Sequence, residues 1–425
     1  MQIQDSLIQP RILSLLTLFR SRTVRQTLML YVSKLAVIPL GVITASMITR
    51  TLGPDNYGLL ALYGTVTGFP LLFFRFGFDS SCGLLIARED DENNIRELIG
   101  AGIIVFLLTG ATSSLFVFGF SFFVDDIFHT NIGSILKWAA IPLVVAPFQF
   151  LIVAATRGGI KIGRLSLSNI LPNILSLLGV STLLAFSKLN VISLIALGLG
   201  ISIACKLFIF GSLKPSFDGL KSNMKKLWLT NKEYGHHLYW GQIADQSTYK
   251  LDGILISYFV NPTQLGFYSL ADTLVSPIVM LSQSLSLSLF RDFARMERIP
   301  KKAIYFNFLW LVSCVAGVIL IGKYVVVLLF SERFLAVAPL AVALALAAFF
   351  QGGYQPYNMF LGAHGKGRWM RNMSFLAMIL NVVGNIILIP IYGVMGAVIA
   401  SIVSRLGSCL AYLFYYSKFT SENPG

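Results

Sequence analysis

Apolar residues in this chain come in long blocks rather than alternating with polar ones, and short polar or Gly/Pro breaks separate the blocks. A block of roughly 20 apolar residues, coiled as a helix, crosses about 30 Å of hydrocarbon. Twelve such blocks can be marked, with edges good to about two to four residues. In the first half they cover 28–50, 57–78, 98–123, 133–156, 168–187 and 190–213. In the second half they cover 236–260, 266–290, 303–327, 335–360, 373–391 and 394–417. The stretch 303–360 divides least sharply, because Lys323, Glu332 and Arg333 interrupt an otherwise continuous apolar run. The longest polar stretch between blocks, 214–235, follows the sixth and carries five lysines.

Composition agrees with this pattern. Apolar residues are 56% of the 425 and charged ones 12%, about half the usual soluble share. A soluble fold of this size lacks the interior to hide so much apolar surface, so the bilayer must act as solvent. The net charge of +14 would suggest nucleic acid in a soluble protein, but here it is a question of placement. With the N-terminus inside, inner loops and tails hold 23 Lys/Arg, outer loops only Arg50, Lys188, Lys323 and Arg333, and six more lie in spans. That bias predicts an even number of spans with both termini cytoplasmic and no nucleic-acid partner.

The chain also looks duplicated. LGPDNYGLLALYGTV (52–66) matches VNPTQLGFYSLADTL (260–274) at an offset of 208, pairing Pro54 with Pro262 and Gly58 with Gly266. GGIKIGR (158–164) matches GAHGKGR (362–368) at 204, and ISIACK (201–206) matches ASIVSR (400–405) at 199. Three matches in one order predict six spans written twice, the copies related by an axis along the membrane normal. The predicted fold is an all-α polytopic membrane protein of twelve transmembrane helices, as two parallel-related six-helix bundles around a central cavity. The predicted segments are an amphipathic cytoplasmic-surface stretch (1–27), a bundle (28–213), a cytoplasmic linker (214–235), a second bundle (236–417) and a cytoplasmic tail (418–425). Residues 1–27 lack the small-residue cleavage site of a signal peptide.

The turn from Arg50 through Thr-Leu-Gly-Pro-Asp-Asn to Tyr57 and Gly58 resembles the R-x-L-G-P-x-x-Y-G signature of Wzx-type polysaccharide flippases. Asp252-Gly-Ile-Leu-Ile-Ser-Tyr-Phe, Leu265-Gly-Phe-Tyr268-Ser-Leu-Ala271 and Ile389-Pro390-Ile-Tyr-Gly393-Val-Met-Gly396-Ala are similar to the same family's counterparts. These flippases belong to the multidrug/oligosaccharidyl-lipid/polysaccharide exporter superfamily. The resemblance implies a V-shaped pair of bundles that opens alternately to each side of a bacterial cytoplasmic (inner) membrane. It also implies a substrate, an oligosaccharide on a polyprenyl diphosphate carrier, passed to the outer leaflet for O-antigen, capsule or exopolysaccharide synthesis. A polysaccharide polymerase and a chain-length regulator are the implied partners. Pro54, Gly58, Pro262 and Gly266 read as architectural, setting turns and close helix contacts.

Ionisable groups in hydrocarbon are costly and tend to face a wet interior, so they form the functional shortlist. The basic ones are Lys34, Arg75, Lys137, Lys206, Lys250 and Arg405, against Asp245, Asp252 and Asp272. At about 100° per residue, Gln242, Asp245, Gln246, Tyr249 and Asp252 share about 120° of one helix face, which should line the cavity. Lys34, Arg75 and Lys250 are candidates to draw in the diphosphate, with Gln242 and Tyr249 beside them, or else they snorkel to lipid phosphates. Lys206 and Arg405 hold matching positions in the repeat, which points to packing or snorkelling. Asp245 and Asp252 could carry the H+ or Na+ that drives transport, or could form fixed ion pairs.

Nothing in the sequence points to catalysis or a cofactor. No Walker A or GxSxG motif is present, the four cysteines are scattered, and the four histidines show no metal spacing. Two other functions compete. A cation-coupled multidrug exporter would favour an acidic cavity, against the six basic and three acidic residues in these spans. A non-transporting scaffold of a polysaccharide assembly complex would not need charges within spans at all. A lipid II flippase would carry two further C-terminal spans.

Overall fold

The computed structural model describes residues 22–157 and 162–422, with side chains described over 36–155, 167–243, 251–290 and 292–422. Residues 1–21 of the expected surface segment and 158–161 of the second repeat pair lie outside the described residues. The side chains of Lys34, Asp245, Tyr249 and Lys250 lie outside them too, although their backbone is helical.

All regular structure among the described residues is helical. The first helix, α1 (Arg22–Phe73), would run about 78 Å if continuous, far more than a bilayer needs. It is broken once, at Gly53 (φ 75°, ψ 176°), a backbone conformation that favours glycine. Pro54 follows directly and begins the second segment, where its fixed φ suits a first helical turn. The turn expected over several residues is thus a single-residue break.

Next come α2 (Phe78–Ala87), α3 (Glu92–Phe120) and α4 (Val124–Phe128). α2 is a short helix that follows the second predicted span, and the charged residues from Arg88 to Asp91 form the break before α3. α2 buries Phe78, Ser81, Cys82 and Ile86, and the Asp91 side chain caps α3 by accepting from Asn93 N. The fourth apolar block is two short helices, α5 (Gly133–Leu143) and α6 (Phe148–Arg157). Pro142 and Pro147 flank the turn between them, each removing a backbone donor that a continuous helix would use. α7 (Ile162–Ala185) and α8 (Val191–Leu213) complete the first half.

The linker is itself structured. α9 (Leu220–Thr230) is followed by a π-helical turn, Asn231–Gly235, which runs straight into α10 (His236–Phe259). The second half continues with α11 (Pro262–Ser288), α12 (Phe290–Phe293), α13 (Lys301–Phe330), α14 (Val337–Ala363), α15 (Gly367–Tyr392) and α16 (Val394–Glu422). The ambiguous stretch resolves at Ser331 (φ 86°), so Lys323 stays inside α13, and Glu332–Phe334 forms a 3-10 turn.

Among the described residues, ten stretches are long and apolar enough to cross a membrane. The first of them, Ala36–Phe73, contains the Gly53 break, and α10 is not one of the ten. The polar residues of α10, Gln242, Asp245, Gln246 and Asp252, keep it less apolar than its neighbours.

The largest buried cluster draws on both halves. Leu62, Val66, Val117 and Leu136 pack with Leu265, Leu270, Val275, Leu344 and Ala397. Within it the two repeat-matched turn segments meet. A Cβ on Gly58 would lie 2.4 Å from Pro262 O, and one on Gly266 would lie 3.0 Å from the Gly58 Cα. Only glycine permits that approach. Asp55 and its repeat partner Thr263 are joined by a 2.7 Å hydrogen bond, donated by Thr263 Oγ1. Phe334 stands edge-on to Tyr57 and to Phe267. Arg50 Nε donates to Leu329 O (3.1 Å), and Arg50 Nη2 and Ser46 Oγ donate to the carbonyls of Leu328 and Leu329. Smaller clusters fill each half: Ile99, Phe106, Leu151 and Ile209 in the first, Phe293, Phe360 and Phe419 in the second.

Candidate functional site

Three polar features stand out against this apolar background. The first centres on Asp252. It lies in the second half of α10. Its side chain is 3% exposed. Tyr268 Oη on α11 donates to Oδ2 at 2.7 Å, and Asn385 Nδ2 on α15 donates to Oδ1 at 2.5 Å. Ser401 Oγ on α16 adds a 3.3 Å bond to Oδ2, and Asn385 also bonds Asn381 Oδ1 at 3.1 Å. A cavity of about 20 Å³ adjoins the cluster and is also lined by Arg405, Tyr354 and Ser404. That is room for about one water-sized species. This buried carboxylate is held by three hydrogen-bond donors and shares its cavity with the Arg405 cation.

The second feature is a junction between the end of α1 and α2 on one side and the linker and α10 on the other. Phe76 (φ 50°) and Gly77 (φ 80°) both adopt left-handed backbone, which is strained for phenylalanine. A Cβ on Gly77 would lie 2.3 Å from Gly235 O. Asn231 spans the gap, accepting from Ser81 Oγ (3.0 Å) and donating to Phe76 O (3.1 Å). Tyr239 Oη donates to Phe73 O (2.6 Å), and Gln242 Nε2 donates to Ser80 Oγ (3.2 Å). Arg75 sits within this junction, 4% exposed, 3.7 Å from Asp79 and over the Phe150 ring at 4.6 Å. Its Nε and Nη2, and Gln242 Oε1, are buried without hydrogen-bond partners. An arginine with two spare donors inside a buried junction is equipped to hold an anion.

The third is a cavity of about 490 Å³ in the first half, within the range typical of ligand sites. It is walled by α1, α6, α7 and α8, with Met280 of α11 on one side. Lys206, Ser202, Asn169, Asn173 and Gln149 supply its polar atoms.

The sequence-predicted residues are thus dispersed. Gln242 and Arg75 come together at the junction, 10 residues and about 15 Å along α10 from Asp252. Lys34 is on α1 and Asp245, Tyr249 and Lys250 are on α10, between the junction and Asp252, and their side chains lie outside the described residues. Sequence reasoning missed Tyr268, Asn381, Asn385 and Ser401 around Asp252, and Asn231, Ser81 and Tyr239 at the junction. The Asn381/Asn385 pair was findable: two carboxamides four apart on one face of an apolar span need a reason.

These features define a multi-pass helical membrane protein with polar sites buried inside its helix assembly. A family model described as "Polysaccharide biosynthesis protein" matches residues 47–339, and the chain belongs to that family. A curated relative, the "Probable low-salt glycan biosynthesis flippase Agl15" of Haloferax volcanii, is 21% identical over 414 residues, covering 93% of this chain and 84% of its own. Among solved structures, a lipid II flippase, MurJ, in an inward closed conformation superimposes with a TM-score of 0.73 at 16% identity, covering 92% of this chain and 87% of that one. An inward-facing MATE-family multidrug transporter of the MOP superfamily gives 0.71 at 14% identity, covering 91% and 96%. An outward-facing MATE-family conformation gives 0.62 at 14%, covering 93% and 96%. The chain has the fold of these superfamily transporters.

Proposed function

We propose that the protein is a flippase that moves polyprenyl-diphosphate-linked oligosaccharides across a cytoplasmic membrane for surface polysaccharide synthesis, by alternating access. The observation that carries this reading is the family match across 47–339. Similarity to a glycan biosynthesis flippase along nearly the whole chain supports it. Counting α1 as two spans around Gly53 and adding α10 takes the ten apolar stretches to twelve, six in each half. In this reading both termini are cytoplasmic, as the loop charges favour.

In this reading the Gly58–Pro262 seal faces outward and the Gly77–Gly235 junction faces the cytoplasm. Lys34, Arg75 and Lys250 attract the diphosphate, with Gln242 and Tyr249 alongside. The unpartnered donors of Arg75 become available to phosphate oxygens as the junction parts. Asp252, and Asp245 on the same helix face, couple transport to an ion gradient. The hydrogen-bond cage around Asp252 supports its part in this role.

Deleting the protein should stop surface polysaccharide while lipid-linked repeat units accumulate on the inner leaflet, measured by leaflet-specific lectin or enzymatic labelling. Normal arrival of those units at the outer leaflet would sink the reading.

A further inference from the structure

The two halves carry the same short pattern at their last spans, a serine followed four residues later by a cation: Ser202 and Lys206 on α8, Ser401 and Arg405 on α16. In the second half the pattern meets an acid. Ser401 bonds the Asp252 carboxylate, and Arg405 lines the same small cavity as Asp252. In the first half the lysine amine donates to Ser202 Oγ at 2.7 Å, and no aspartate or glutamate lines the 490 Å³ cavity. Among the described residues, none of the ion pairs includes Lys206. The amine turns back along α8 toward Ser202, away from the Leu213 end of the span, so it does not snorkel to that surface.

A cation at this depth needs a counter-anion or a wet site. Around it stand the carboxamides of Gln149, Asn169 and Asn173 and the hydroxyl of Ser176. Each carboxamide offers a donor and an acceptor together, the complement of adjacent hydroxyls on a sugar ring. We propose that this cavity is a binding subsite for an anionic, hydroxyl-rich head group, with Lys206 engaging the anion that in the second half is built into the protein as Asp252. The anion is a carboxylate of an acidic sugar or a phosphate of the carrier, and the amides hold the neighbouring hydroxyls. The inference rests on the reading of the chain as a carrier of lipid-linked oligosaccharide and extends it to a residue which the repeat alone would assign to packing.

The test uses the full chain in lipid nanodiscs with three probes: a glucuronate-containing tetrasaccharide, geranylgeranyl diphosphate and neutral maltotetraose. Lys206→Gln should weaken one or both anionic probes by about tenfold or more while leaving maltotetraose unchanged, and Lys206→Arg should restore most of the loss. A loss confined to the tetrasaccharide places the anion on the sugar, and one confined to the diphosphate places it on the carrier. As a check independent of any variant, the anionic probe that binds should protect the Lys206 amine from acylation, read by mass spectrometry, and maltotetraose should not. The proposal is overturned if neither anionic probe binds the wild type, if Lys206→Gln binds both as the wild type does, if it loses all three probes equally, or if the amine is not protected. Binding is read without transport, so normal outer-leaflet arrival in the deletion strain would sink the flippase reading and leave this result standing.

Discussion

The two contacts that hold the halves together, at Gly58–Pro262 and at Gly77–Gly235, are built from different materials. The first is embedded in the largest apolar cluster of the protein, and repeat-matched segments form its backbone contact. The second depends on a few hydrogen bonds, several of them to backbone carbonyls, around a strained turn and a π-helical one. Both bring backbone to backbone through glycine. What differs is the apolar area committed around each. An apolar cluster loses free energy in proportion to the area re-exposed. A hydrogen-bonded junction exchanges its partners for water or ligand at a net cost of only about 1 kcal/mol per bond. The junction is the contact that costs less to part.

The largest expected effect comes from Gly58→Val. Its side chain would meet the Pro262 carbonyl inside the apolar seal, and a loss of about 3 kcal/mol or more should appear as a much lower melting temperature of the purified protein. Asp252→Ala is next. It removes the acceptor shared by Tyr268, Asn385 and Ser401, though Asn385 keeps its bond to Asn381, and should cost about 2–3 kcal/mol by the same measurement. Asp252→Asn should keep the fold and lose gradient-driven flipping in proteoliposomes; undiminished flipping would refute the coupling role.

Gly77→Ala sharpens the comparison. The added methyl would clash with Gly235 O as severely on paper as one at Gly58 would with Pro262 O, yet it should part the junction rather than unfold the protein. Thiol labelling of Ser80→Cys should rise with the melting temperature little changed. An equal drop in melting temperature for Gly77→Ala and Gly58→Val would mean the two contacts are not different in kind. Asn231→Ala removes two hydrogen bonds and should shift the same labelling by about tenfold. Thr263→Ala, at an exposed bond to Asp55, should change stability by less than about 0.5 kcal/mol.

The helical plan was legible because a membrane forces each span to be long, apolar and internally hydrogen-bonded, so breaks show as Gly, Pro or charge. Even so, α2 was not marked as an element, because its 10 residues are too few to cross a membrane. Asp252 was legible as a lone carboxylate in hydrocarbon. Its cage was not, because Tyr268, Asn385 and Ser401 arrive from three other helices, and one sequence does not say which helices touch. Arg75 was legible as a cation near a span end, but its Asp79 neighbour, four residues on, was obscured by the Gly77 turn between them. Lys206 read as a packing residue, since only the assembled walls of α6 and α7 place carboxamides beside it.

The π-helical turn at Asn231–Gly235 has a geometric consequence. Such a turn holds one residue more than an α-helical turn, so it is a stored register shift ahead of α10. Converting it to ordinary helix would rotate everything downstream by about 100° and shift it about 1.5 Å along the axis. Asn231, the residue that ties the turn to Phe76 and Ser81, also begins it, so the stored register shift and the junction share one residue. The helix that carries Asp252 thus starts from the same residues that close the junction.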